Sequence, residues 1–468
     1  MLTQRSRPEW ALALTPAAFF MVVLDSLVVI TALPAIHREL GAGLSTLEWT
    51  VNAYNLTAAA GIVTAAALGD RWGRRRVFAC GLVLFAAASA ACAVAPSVGA
   101  LIAARAVQGA GAALVIPLSL TILTAAFPAE RRGAIIGLWG GLGGLAVAGG
   151  PLVGGAVTQG LDWHWIFWLN VPIGLVAAAL AAWRLVETRG PASRLDLPAV
   201  VLVSGGAAGV VWGLVRGNES GWTSVETVAA LGLGVLLLAA FVAWEERTAE
   251  PMLPMRLFRT RAFAAAGATA FLMSGSIFSA AFLMSQYFQL VLGYSPLTTG
   301  LRFLPWTATP VVVAPLAGVL SDRIGRRPVI VAGLLLQGAA LGWVALVAGA
   351  GTGYGQLVVP LLAAGVGISM ALAATPAAAM GAVAPADMGR ASGAINTLQR
   401  FGGVLCIAVA SAVFAAHGHL GAAPAVTAGF RPALGLVAGL SVLGAMTALA
   451  VGRRRAAAAT PVVRSAAA

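Results

Sequence analysis

Asp25 lies inside an apolar run that extends from about Leu12 to Leu33 and contains no other ionisable side chain. A carboxylate at the centre of a membrane helix costs about 2.5 to 3.5 kcal/mol on insertion scales, and such residues normally face a water-filled cavity or a proton path. Burial disfavours the charged form of an acid, whereas nearby positive charge or water favours it. A carboxyl group whose surroundings alternate between two openings therefore loads a proton on one side and releases it on the other. The competing reading is a structural acid satisfied by a neighbouring backbone group or cation, and the insertion cost favours the proton carrier. Arg105 is the candidate partner of opposite charge. It stands seven residues into an apolar segment that begins near 98, about 10 Å from the start at 1.5 Å per residue, too deep for a loop charge. Snorkelling of its long stem to an interface is the alternative. Arg400 is a weaker case, because the helix that carries it is free to start after Ala391.

The elements that must position these groups follow from composition. With 468 residues and 60% hydrophobic content, and a mean hydropathy of +0.91, the chain is too apolar for a wetted surface. It reads as an all-α integral membrane protein. Runs of about 20 apolar residues span a bilayer as helix. Fourteen such windows recur, near 12–34, 49–69, 77–95, 98–122, 134–158, 165–185, 197–215, 226–244, 262–292, 300–321, 328–348, 356–380, 391–416 and 430–451. The first window is too long for a signal-peptide core and lacks a convincing cleavage site, so it reads as the first span.

The net charge of +13 is carried by arginine alone, with no lysine in the chain. Its placement argues against nucleic acid. With the N-terminus inside, clusters such as Arg5 and Arg7, Arg74 to Arg76, Arg131 and Arg132, Arg323, Arg326 and Arg327, and Arg453 to Arg455 all fall on one side; Arg38, Arg216, Arg302 and Arg431 fall on the other. That asymmetry is the positive-inside rule and predicts both termini in the cytoplasm, with the protein in the cytoplasmic membrane. Cys80, Cys92 and Cys406 all fall inside predicted spans and read as packing residues. His417 and His419 have no clustered acid or thiol partner, so no metal site is expected. No phosphate-binding loop and no paired nucleophile and base are visible. The expectation is therefore a non-enzyme without a cofactor, working on a small molecule and protons within the bilayer, as a monomer.

The chain repeats itself. ALGDRWGRRR (67–76) and GVLSDRIGRR (318–327) align Asp70, Arg71, Gly73 and Arg74 with Asp322, Arg323, Gly325 and Arg326. Internal repeats of this kind build many transporters, with the substrate site between them near the midplane. The separation of 252 residues corresponds to eight helices rather than six, which predicts two six-helix halves, 1–190 and 251–468, with an inserted two-helix hairpin at 191–250.

At these residues the chain resembles the major facilitator superfamily, and the eight-helix spacing is similar to its fourteen-spanner drug:proton antiporter branch. LDSLVVITALP (24–34) resembles the helix-1 motif of that branch, with Leu27 and Ile30 where threonine and asparagine are common. LIAARAVQGAGAA (101–113) resembles the helix-4 motif, AGGPLVGG (148–155) the helix-5 antiporter motif, and WHWIFWLNVPIG (163–174) the entry to helix 6. Ala66 departs from the glycine that usually opens the loop motif. The resemblance covers essentially the whole chain. It implies that Arg105 takes part in proton coupling, for which one sound role is to hold Asp25 deprotonated until substrate or solvent intervenes. It also implies that the duplicated loops favour one conformation through contacts with neighbouring helix ends, in line with the attraction of carboxylates to helix N-termini.

Three four-residue glycine pairs, Gly137 with Gly141, Gly140 with Gly144 and Gly150 with Gly154, allow close helix approach. Pro151 bends the same helix, which makes it a deformable seam between halves. Polar residues three or four apart share a helix face. On that ground Asn52, Tyr54, Asn55, Gln286, Gln289 and Asn396, with Tyr287, Trp306, Met273 and Met284, are expected around an apolar substrate cavity with few hydrogen-bonding groups. Polar glue between helices is the alternative for each. The expected function is a proton-coupled antiporter that exports small, largely hydrophobic drugs or antibiotics by alternating access. A specific exporter or facilitator of one metabolite, siderophore or amino acid is the alternative; a non-transporting receptor or scaffold ranks below it.

Overall fold

The computed structural model describes residues 8–41, 43–190, 196–248, 251, 255–384 and 387–452. The terminal arginines and the first residues of the expected hairpin lie outside them. Seven helices come first: α1 Pro8–Leu40, α2 Leu44–Trp72, α3 Arg74–Ala93, α4 Val98–Ala125, α5 Ala129–Gly160, α6 Trp165–Trp168 and α7 Asn170–Arg184. The pair α8 Leu197–Ser220 and α9 Val225–Arg247 follows. The remainder is α10 Met255–Phe258, α11 Arg261–Gln286, a π-helical turn Tyr287–Val291, α12 Pro296–Thr307, α13 Thr309–Ile324, α14 Arg326–Val347, α15 Tyr354–Met380, α16 Met388–His417 and α17 Ala423–Ala448.

Among the described residues, 12 helices are long and apolar enough to cross a membrane, or 13 if the two segments of α5, bent by 42°, count as one span. The expected fourteen spans also included α2, a helix of 29 residues. Prolines explain where predicted spans break. Pro151 lies just after the bend in α5 and removes one of its backbone hydrogen bonds. The window at 300–321 is two helices, α12 and α13, joined at Ala308 between Pro305 and Pro310. Ser295 caps α12 by accepting from the Thr298 N–H at 3.2 Å, with Pro296 in the first turn, where a missing N–H costs nothing.

The order of packing is repeated. In the first bundle α3 packs on α4 and α7, α2 on α4, and α1 on α5; in the second, α14 packs on α15 and α17, α13 on α15, and α11 on α16. The seams between bundles are reciprocal: α5 meets α12, and α16 meets α2. The α8–α9 pair packs on itself through Gly209 and Gly234, where an added Cβ would strike backbone, and α8 leans on both α2 and α16. Its buried side chains Ala199, Val203, Ala207 and Val211 recur every fourth residue, one stripe of an otherwise outward-facing helix.

At the end of the molecule that carries Arg74 to Arg76, the repeated loops share one conformation. Gly73 closes α2 and opens α3 with φ of 108°, and Gly325 does the same between α13 and α14 with φ of 95°. Both angles fall where only glycine is unstrained.

Candidate functional site

Asp25 is 3% exposed and does not face solvent. Arg105, fully buried, donates from Nη1 to Asp25 Oδ2 at 2.6 Å. The other carboxylate oxygen, Oδ1, accepts from Gln108 Nε2 at 3.0 Å and from Asn170 Nδ2 at 2.7 Å. Ser89 ties these donors together: its Oγ accepts from Gln108 at 3.1 Å and from Asn170 at 3.2 Å, and donates to the Phe167 carbonyl at 2.9 Å. Two helices, α4 and α7, thus supply donors to the carboxylate of α1, and Ser89 of α3 fixes two of them. The pause between α6 and α7 at Leu169 sets Asn170 in the first turn of α7, and Gln108 follows Arg105 by one helical turn on the same face of α4.

Arg105 has further acceptors ready. Its Nε donates to the Thr50 carbonyl at 3.1 Å, and its Nη1 also reaches Gln108 Oε1 at 2.7 Å. The guanidinium lies over the Tyr54 ring, 4.2 Å from the centroid, a cation–π contact that keeps charge tolerable out of water. Tyr54 is itself held by its hydroxyl, which donates to the Val22 carbonyl at 3.0 Å. Arg105 therefore bonds Asp25, Thr50 and Gln108 at the same time.

A cavity of about 230 Å³ lies between the bundles, lined by α1, α5, α11, α12, α13, α15 and α16. Phe278, Phe303, Trp306 and Leu372 give it an apolar wall; Asn396, Gln399 and Arg400 give it a polar one. Ser26, the residue after Asp25, lines it as well, so the cavity and the ion pair occupy opposite faces of one turn of α1.

The sequence-predicted cavity residues separate in space. Asn396 and Trp306 line the cavity. Asn55 sits one step behind, accepting from Arg400 Nη1 at 3.3 Å. Tyr54 belongs to the Arg105 cluster instead. Gln289 donates to the Thr31 carbonyl at 2.9 Å and bridges the bundles beside Ser285, which donates to the Ile30 carbonyl at 2.9 Å. The side-chain amides of Asn52 and Gln286 are buried without a hydrogen-bond partner. A shared helix face was too coarse a criterion, since α2 presents neighbours on several sides. Missed residues were Gln108, Asn170, Ser89 and Gln399. The first two were readable as amides inside segments already singled out for their neighbours.

The glycine helix also divides. Gly154 abuts the Val28 carbonyl and Thr31 of α1, Gly150 abuts Leu27, and Gly155 abuts the Pro296 carbonyl of the second bundle, while Gly300 of α12 abuts the Pro151 carbonyl. Gly141 and Gly144 face open space, while Gly143 between them abuts the Phe19 ring of α1; the surroundings of Gly137 and Gly140 lie outside the described residues. In the repeated loops, Asp70 pairs with Arg74 at 2.8 Å. Arg75 is clamped by Glu187, which accepts from its backbone N–H at 3.0 Å. In the second copy, Arg326 donates to the Ala377 carbonyl at the end of α15 at 2.6 Å. Arg71, Asp322 and Arg323 are exposed.

The Major Facilitator Superfamily profile matches residues 17–407 and 266–466. The chain is 36% identical over 419 residues to the tetracenomycin C resistance and export protein of Streptomyces glaucescens, covering 88% of this chain and 77% of that protein. It is 36% identical to the multidrug resistance protein Stp of Mycobacterium tuberculosis, covering 86% and 75%, and 34% identical to the puromycin resistance protein of Streptomyces alboniger, covering 94% and 91%. Among solved structures, the peptide transporter POT in complex with sulfate superposes with a TM-score of 0.68 over 95% of this chain and 94% of that one. At 19% identity that likeness is one of fold. With repeated bundles, a cavity between them and sequence matches along nearly its whole length, the chain belongs to the major facilitator superfamily of multi-pass membrane transporters.

Proposed function

We propose that the protein is a proton-coupled antiporter that exports small, largely hydrophobic drugs or antibiotics from the cytoplasm by alternating access. The observation that carries this reading is the adjacency of the buried Asp25–Arg105 pair to the inter-bundle cavity through the single step from Asp25 to Ser26. The relatives' names, which speak of resistance and export, support the substrate class.

The reading takes the halves as 1–190 and 251–468, the hairpin at 191–250, and fourteen spans counting α2 and α5, in a monomer in the cytoplasmic membrane. Both termini and the arginine-rich loops then face the cytoplasm. The contacts of Gly155 with Pro296, of Gln289 with Thr31 and of Gln159 with the Leu297 N–H at 3.1 Å fall at the outer end and seal it. In this outwardly closed state Asp25 is ion-paired, as expected after its proton has left inwards and substrate is to be captured. On the outer side, protonation of Asp25 frees Arg105, α1 shifts against α4, and the Ser26–Leu27 wall of the cavity moves with it. One charge crossing 100 mV is worth about 2.3 kcal/mol and a tenfold gradient about 1.4 kcal/mol, so one proton traded for one neutral molecule sustains roughly a fifty-fold gradient.

The test is flux in proteoliposomes with imposed proton gradients, comparing wild type with Asp25→Asn. Loss of uphill export with retained downhill leak is expected. Undiminished uphill, proton-dependent export by the variant would remove Asp25 from the mechanism.

A further inference from the structure

The cavity wall is electrically lopsided. Arg400 reaches it from the middle of α16, and among the residues lining the cavity there is no aspartate or glutamate. Its Nη1 spends itself on the neutral Asn55 Oδ1 at 3.3 Å, and among the described residues no carboxylate lies within ion-pair distance of it. The nearest acid along α1, Asp25, is already committed to Arg105. A guanidinium out of bulk water without a counter-charge is unfavourable, and its planar fork is shaped for a carboxylate or another delocalised oxyanion. Gln399 beside it offers an amide donor, as does Asn396 with the N–H not given to the Ser392 carbonyl, while Phe278, Phe303 and Trp306 give the same cavity an apolar aromatic surface.

We infer that this cavity selects aromatic anions: compounds with a fused ring system and one acidic oxygen group, whose charge is met by Arg400. The inference rests on the export reading and narrows its substrate class. Asn55 holds the guanidinium and yields it to the incoming anion. The charge count of transport follows. One proton entering for one monovalent anion leaving moves two charges per cycle, so a potential of 100 mV, worth roughly fifty-fold for a neutral substrate, is worth on the order of two-thousand-fold for the anion.

Three probes of one shape decide it: anthracenecarboxylate, anthracenecarboxamide and aminomethylanthracene, each titrated into the purified full-length protein in lipid nanodiscs and read by polarisation of the ring's own fluorescence. The expected result is at least about tenfold tighter binding of the carboxylate than of either other probe. Arg400→Gln should erase that preference, and Arg400→Lys should keep part of it. Equal binding of the three, tighter binding of the amine, no binding of any, or a preference that survives Arg400→Gln overturns the inference. The wild-type comparison stands without any variant, so a poorly folding Arg400→Gln does not shelter the idea. Export is judged separately, by uphill flux in vesicles: flux without anion preference sinks this inference alone, and anion preference without flux sinks the export reading.

Discussion

Gly73 and Gly325 hold the same left-handed backbone at the same point of two helix-to-helix turns, with φ of 108° and 95°, but their surroundings differ. A Cβ on Gly73 would strike the Glu187 carboxylate, whereas a Cβ on Gly325 would meet only Pro328 Cδ at 3.9 Å. Each alanine substitution carries a left-handed penalty of about 1–2 kcal/mol. Gly73→Ala must in addition displace the carboxylate that clamps Arg75. Thermal unfolding in detergent should therefore show a larger loss for Gly73→Ala than for Gly325→Ala. Equal losses would mean that the Glu187 clamp contributes nothing to stability.

Removing one partner of a buried ion pair leaves the other charge stranded, at a cost of about 3–5 kcal/mol. Arg105→Gln alone should thus lower stability more than the double change Asp25→Asn with Arg105→Gln, which leaves a neutral amide network around Ser89. A double-mutant cycle on melting temperature measures this. Additive losses would contradict the coupling drawn from the 2.6 Å contact.

Gln286 is buried with both amide atoms unpartnered, which costs about 1–3 kcal/mol in this conformation. Gln286→Met should raise the melting temperature of this state. If the amide finds partners once the bundles re-pack, the same change slows turnover. A melting temperature unchanged or lowered would show that the site is already satisfied.

Gly155 touches the Pro296 carbonyl across the bundles, leaving no room for a side chain. Gly155→Val should prise that end open. Cysteines introduced at Gln159 and Leu297, in a protein with Cys80, Cys92 and Cys406 replaced, should cross-link readily in the parent and poorly in the valine variant. Unchanged cross-linking would show that the seam tolerates the added bulk.

The parts of this molecule legible in the sequence were those set by local rules. Apolar run length gave most helices, and Pro151 marked the bend in α5, whereas the break of the 300–321 window at Ala308 was not anticipated. The repeat of Asp70 to Arg74 at Asp322 to Arg326 anticipated the repeated packing order. Asp25 and Arg105 stood out because charge in an apolar run is costly, and the structure joins them directly. Their amide partners escaped notice because Gln108 and Asn170 are separated by 62 positions in the chain and become neighbours only through packing of α4 against the α6–α7 break. The cavity lining was least legible. Which face of α2 or α11 meets the cavity depends on helix rotation, and the weak amphipathicity of buried helices leaves that rotation unwritten.

The repeated architecture does not carry repeated chemistry. Where α1, α4 and α7 enclose an ion pair, their counterparts in packing order, α11, α15 and α17, have no such pair; α11 instead joins α14 and α17 through Ser276, Gln337 and Ser441, uncharged groups bonded at 3.1 Å and 2.6 Å. Hydroxyls and amides keep the same protonation across the physiological range. In the proposed cycle a change in acidity or voltage is therefore felt through Asp25 in the first bundle and reaches the second by contact along α5–α12, α2–α16 and α1–α11. On that reading the molecule is a symmetric lever with its motor mounted on one arm.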